Sequence, residues 1–142
     1  MPGLDSGREA TPLDYCHGNE TILVVDDEDS LRPVIGDMLS NLGYHILSTS
    51  NGPDALALAS EYPGKIDVLL TDVAMEPLSG PALAEALTRV RPEMKVVYIS
   101  GYAAILAPDY TLKPGTVLVP KPFSMKILSA KLREVLESPT PV

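Results

Sequence analysis

Between Thr21 and Glu137 the chain alternates short unbroken apolar runs with longer segments in which apolar residues recur every three or four positions. Runs of the first kind read as strands buried on both faces, and segments of the second kind as amphipathic helices. The alternation therefore predicts β/α units around a parallel sheet. Strands are expected at Ile22–Val25, Tyr44–Thr49, Ile66–Leu70, Val96–Ile99 and Thr116–Val119. The second is the least purely apolar and is placed nearer an edge.

The first helix is expected from Ser30 to Asn41, where Leu31, Val34, Ile35, Met38, Leu39 and Leu42 recur at helical spacing and Gly43 supplies a stop. Pro33 falls in its first turn, where proline is tolerated. A second helix starts at Pro53, after the turn pair Asn51 and Gly52, and ends before Pro63 and Gly64. Further helices are expected over Pro81–Val90 and Ser124–Leu136. Between the fourth and fifth strands, Pro108 and Pro114 leave Tyr102–Lys113 room for about two turns only, a shortened fourth helix. Residues 1–19 lack apolar periodicity and read as a linker or leader, 20–137 as the domain and 138–142 as a tail.

Composition narrows the function. Of the 142 residues, 45% are hydrophobic and 21% charged, which suits one packed domain. A net charge of -8 with no basic run disfavours direct nucleic-acid binding. No apolar stretch approaches the ~18 residues a membrane helix needs, so no membrane insertion and a cytoplasmic location are expected. The single cysteine, Cys16, excludes an internal disulfide, and with His17 it has no partner at metal-ligand spacing.

The chemistry lies where polar residues interrupt the apolar runs. The first strand runs out into Asp26 and Asp27, the third into Thr71 and Asp72, the fourth into Ser100, and the fifth into Lys121 and Pro122. All are carboxyl ends, and in an open parallel sheet those ends line one crevice. Asp67 lies five residues before Asp72, about 16 Å away along the strand, and cannot join them. Taken singly, the aspartate doublet could cap a helix, Asp72 a turn, and Lys121 could be a solvated surface lysine. Taken together, the three carboxylates repel one another unless cations compensate, and Lys121 with a divalent ion would do so. Carboxylates, a carbonyl, waters and a phosphoryl oxygen form the ligand set Mg2+ accepts. With charge neutralised, the Asp72 carboxylate can attack phosphorus, with Ser100 and Lys121 as partners for the phosphoryl oxygens.

These residues sit in ILVVDDE at Ile22–Glu28, LLTDVAM at Leu69–Met75 with Gly80 following, YISGYA at Tyr98–Ala103 and PKPF at Pro120–Phe123. In that order they resemble the receiver domain of two-component response regulators, and the wording is most similar to receivers at the carboxyl end of hybrid sensor histidine kinases. The resemblance implies a flavodoxin-like (βα)5 doubly wound sheet in the order 2-1-3-4-5. It implies Asp72 as phosphoacceptor, Asp27 as direct Mg2+ ligand, Asp26 as holder of a metal-bound water and the Ala74 carbonyl as a further ligand. Ser100 corresponds to the switch hydroxyl and Lys121 to the family lysine, with a cis bond to Pro122.

The implied job is to take a phosphoryl group from a sensor histidine kinase or histidine phosphotransfer protein, self-catalysed rather than enzymatic, as a monomer or weak dimer. Two departures stand out. Glu76 occupies the family's usual proline position, with Pro77 one place late, so a reshaped loop after the acceptor is expected. Leu118 occupies the usual switch-aromatic position, on the face that the shortened fourth helix also affects, so the family's phosphorylation-driven dimer through that face is expected to be absent or altered. A constitutive docking module is the alternative reading. An aspartate-nucleophile phosphohydrolase would want a second acid two residues after Asp72, where Ala74 stands.

Overall fold

The computed structural model describes residues 17–101 and 117–137. The expected leader up to Cys16, the shortened fourth helix and the tail lie outside the described residues. Within them the order is β1 (Thr21–Val25), α1 (Arg32–Asn41), β2 (His45–Thr49), α2 (Gly52–Glu61), β3 (Val68–Asp72), α3 (Gly80–Val90), β4 (Lys95–Ser100), β5 (Val117–Pro120) and α4 (Met125–Leu136). The strands form one parallel sheet ordered β2-β1-β3-β4-β5, with β2 at an edge as its weaker apolar character predicts.

Strand side chains alternate between faces, and this divides the core in two. Ile22, Val24, Val68, Leu70, Val97 and Ile99 point to the face covered by α1 and α4, where they meet Ile35, Leu39, Leu128 and Leu132. Leu23, Val25, Leu69 and Tyr98 point to the other, against Ala55 and Ala59 of α2 and Leu83 and Leu87 of α3. Every residue of β3 is buried, which accounts for the apolar Val68–Leu70, and burial continues through the polar Thr71 and Asp72.

Two boundaries differ from the sequence reading in ways that matter for the site. β3 begins at Val68 rather than Ile66 and runs through Asp72. Just ahead of it, Asp67 donates its N–H to the Thr21 carbonyl, accepts the Thr21 N–H on Oδ2 at 2.8 Å and accepts the Lys95 N–H on its carbonyl, at the end of the sheet remote from Asp72. α1 begins at Arg32 rather than Ser30. The Glu28 carbonyl accepts from both the Leu31 and Arg32 amides, forming a turn ahead of the helix. Val34, expected on the apolar stripe of α1, is half exposed.

Helix starts follow local polar chemistry. Asn51, Ser79 and Ser124 cap α2, α3 and α4, each accepting an N–H three residues on. Gly43 closes α1 with φ of 104°, and a β-carbon there would also strike the Gly18 carbonyl. Since α4 carries the core residues Leu128 and Leu132, Ser124→Ala is expected to lower stability by about 1 kcal/mol. Urea unfolding would register this as a lower midpoint with unchanged slope, and Ser124→Asp should retain it.

Candidate functional site

The parallel strands deliver their carboxyl ends to one edge, and the predicted polar residues meet there. Asp26, following β1, is fully buried, Asp72 ends β3 at 7% exposure, and Asp27 is exposed. One carboxylate oxygen from each lies within 4.8 Å of the others. Lys121 follows β5, its N–H donating to the Ser100 carbonyl at 2.7 Å, and the Lys121–Pro122 peptide is cis as expected. Its ammonium reaches Asp72 Oδ2 at 3.1 Å, Glu28 Oε1 at 3.3 Å and Asp26 Oδ2 at 3.4 Å. Neither aspartate of the doublet caps α1, whose N-cap is Leu31 without a side-chain bond.

Burial and charge pull Asp26 in opposite directions. Loss of water pushes its carboxyl above the usual range, and the Asp72 carboxylate adds to that, while the Glu28 N–H on Oδ1 and the Lys121 ammonium partly offset it. Its Oδ2 is buried and lacks a hydrogen bond, the Lys121 contact being an ion pair without hydrogen-bond geometry. For Lys121, burial alone would lower the pKa. The hydrogen bond from its ammonium to Asp72 and the charges of Asp72 and Asp26 outweigh it and hold the value above that of a free lysine.

Not every expected residue is turned toward the cluster. The Ser100 hydroxyl donates to the Gly101 carbonyl at 3.1 Å and makes no hydrogen bond to a carboxylate among the described residues. The Ala74 N–H donates to Asp72 Oδ1 at 3.3 Å, fixing the carboxylate from the loop side. That loop passes through a cis Glu76–Pro77 peptide. Leu118 stands opposite Tyr98 in the β4–β5 register and packs, partly buried, on the α2/α3 face.

Three residues carry parts that sequence reasoning did not give them. Glu28 supplies the third anion on Lys121. Arg32 donates from Nη1 to the Asp26 carbonyl at 2.7 Å and from Nη2 to Asp29, bracing the loop that presents the doublet. Gly80 lets α3 start against β3: a β-carbon there would collide with the backbone carbonyl of Asp72, while its N–H donates to the Val73 carbonyl. The only advance signal was the position of Gly80 eight residues past Asp72 within the family pattern.

A family model for the response regulator receiver domain matches residues 22–133. The chain belongs to the response regulator receiver family. It is 34% identical over 121 residues to the sensor kinase CckA of Brucella abortus, covering 84% of this chain but 13% of that kinase. It is 31% identical over 116 residues to the receiver protein CpdR of the same organism, covering 81% of this chain and 95% of CpdR. The crystal structure of the receiver domain from hybrid histidine kinase CckA superposes with a TM-score of 0.70 at 31% identity, covering 82% of this chain and 99% of that one.

The flavodoxin-like fold is that of receivers, which act in two-component signalling with histidine kinases or phosphotransfer proteins and typically carry an aspartyl phosphate and Mg2+. This receiver's donor set suits such an ion. It offers clustered carboxylate oxygens and one buried oxygen, Asp26 Oδ2, that lacks a hydrogen-bond donor. Among the described residues no helix is long and apolar enough to cross a membrane.

Proposed function

We propose that this receiver takes a phosphoryl group from a phosphohistidine of a sensor histidine kinase, or of a histidine phosphotransfer protein, onto Asp72. The observation that carries the reading is the position of Asp72. It is a nearly buried carboxylate at the end of the central strand, bonded by Lys121 on one oxygen and by the Ala74 amide on the other. Asp26, Asp27, Asp72 and the Ala74 carbonyl would hold Mg2+. Bound there, the ion would neutralise the charge between the carboxylates and an incoming phosphoryl group.

The chain's own residues supply the rest. An Asp72 oxygen attacks phosphorus and the phosphorus–nitrogen bond breaks, its electron pair staying with the imidazole. Lys121 keeps its ammonium beside the acceptor through three carboxylates, so a cation is in place before the phosphoryl oxygens arrive. Ser100, at the adjacent strand end, can turn its hydroxyl from the Gly101 carbonyl to one of those oxygens. The phosphoryl group then passes to water or to another histidine. On this reading residues 20–137 are the working unit, monomeric or weakly dimeric, in the cytoplasm, with chemistry confined to its own side chain. The alternative of a docking module indifferent to phosphorylation draws on the altered switch face that Leu118 marks. The assembled acids and lysine weigh against it.

Incubation with acetyl phosphate and Mg2+ should raise the intact mass by one phosphoryl group, and a chelator should abolish the gain. A gain that persists without divalent ions would overturn the metal assignment. No gain from acetyl phosphate or phosphoimidazole, with Mg2+ bound, would overturn the acceptor reading.

A further inference from the structure

Beside the acid cluster lies a cavity of roughly 390 Å3 lined by Glu28, Leu31, Lys121, Pro122 and Phe123. Its walls are built rather than incidental: Leu31 and Phe123 are partly buried against the α1/α4 core, and Pro122 follows the cis bond. Lys121 belongs both to the cavity and to the acceptor, with its ammonium 3.1 Å from Asp72 Oδ2. Lys121 thus joins the acceptor to the cavity, which is open to the remainder of a donor whose phosphoryl group rests on that ammonium.

The lining has a definite polarity. A cation faces the acceptor, the half-exposed Glu28 carboxylate stands 3.3 Å from that cation, and apolar and aromatic surface fills the rest. The reacting form of a phosphohistidine has the complementary pattern. It has an anionic phosphoryl group on one ring nitrogen, a proton on the other, and a flat ring carrying positive charge between them. When the phosphorus–nitrogen bond breaks, its electrons return to the first nitrogen and the proton stays on the second, so neutral imidazole departs. A carboxylate at the second nitrogen stabilises the protonated ring by a charge-assisted hydrogen bond, and an aromatic face adds cation–π attraction. An acyl phosphate releases a carboxylate anion instead, which has no N–H to offer Glu28 and is repelled by it.

The geometry points to this cavity as the seat of the donor's imidazole ring, with Glu28 accepting the ring N–H and Leu31, Pro122 and Phe123 holding the ring. The inference rests on Asp72 being the acceptor and adds donor selectivity to it: a preference for phosphorus–nitrogen over acyl phosphate donors.

The test measures phosphoryl uptake from phosphoimidazole and from acetyl phosphate, both with Mg2+, on wild type, Glu28→Gln and Phe123→Ala. The ratio of the two rates should fall about tenfold in Glu28→Gln, the scale of one charge-assisted hydrogen bond, and several-fold in Phe123→Ala. Because Glu28 is exposed, its variant will fold, and acetyl phosphate uptake on the same sample reports an intact acceptor. A ratio unchanged in Glu28→Gln, or both rates changing in proportion, overturns the ring seat and spares Asp72. Absence of uptake by wild type from either donor overturns both.

Discussion

Asp72→Asn is expected to take up no phosphoryl group from any donor and to keep the fold. The amide has the shape of the carboxylate but no anionic oxygen to attack phosphorus, so the loss is complete rather than graded. The fold survives because little else depends on that charge. Lys121 retains Asp26 and Glu28, and the substituted amide oxygen can still accept the Ala74 N–H. Side-by-side intact-mass measurements and thermal unfolding would check both halves. A labelled Asp72→Asn protein would place the acceptor elsewhere.

In metal-free buffer, Asp26→Asn should make the protein more stable, an unusual outcome for a fully buried position. The carboxylate is stripped of water and one of its oxygens lacks a donor, so its ionised form costs free energy in the fold. Burial raises its folded pKa above the unfolded value, which fixes the sign. The penalty is absent below the unfolded-state pKa of about 4 and grows to full size as pH rises through the folded pKa. Asparagine removes the charge, so its advantage should be greatest at neutral pH, on the order of 1–3 kcal/mol, and should vanish as the medium is acidified.

Mg2+ ought to reverse the comparison by binding the folded wild type, while the variant gains little. Urea unfolding at two pH values, with chelator and with Mg2+, reads all four conditions. A variant less stable than wild type at neutral pH without metal would show that Lys121 more than compensates the buried charge.

The sheet was legible because its strands are buried on two faces, which leaves continuous apolar runs that end abruptly at polar residues. The convergence of Asp26, Asp27, Asp72 and Lys121 follows from that pattern, whereas the strand order came from the family resemblance. The start of β3 was not legible. Ile66 is apolar and buried, yet the strand starts two residues later, and Asp67 beside it bonds Thr21 through its side chain as well as its backbone. Glu28 escaped notice because an acid ahead of a helix looks alike whether it faces water or a lysine 93 residues away. The orientation of the Ser100 hydroxyl toward Gly101 is a rotamer choice, and no residue pattern encodes it.

Gly80 has a mechanical consequence. With no side chain between them, the first residue of α3 rests directly on the carbonyl of the acceptor residue, and the Val73 carbonyl accepts the Gly80 N–H at 2.9 Å. Side-chain contacts can absorb a shift by changing rotamer, but backbone resting on backbone has almost no such play. The end of β3 and the head of α3 thus meet at a hard bearing, and a displacement of the Asp72 backbone by a few tenths of an ångström is passed to the whole helix rather than dissipated beside the site.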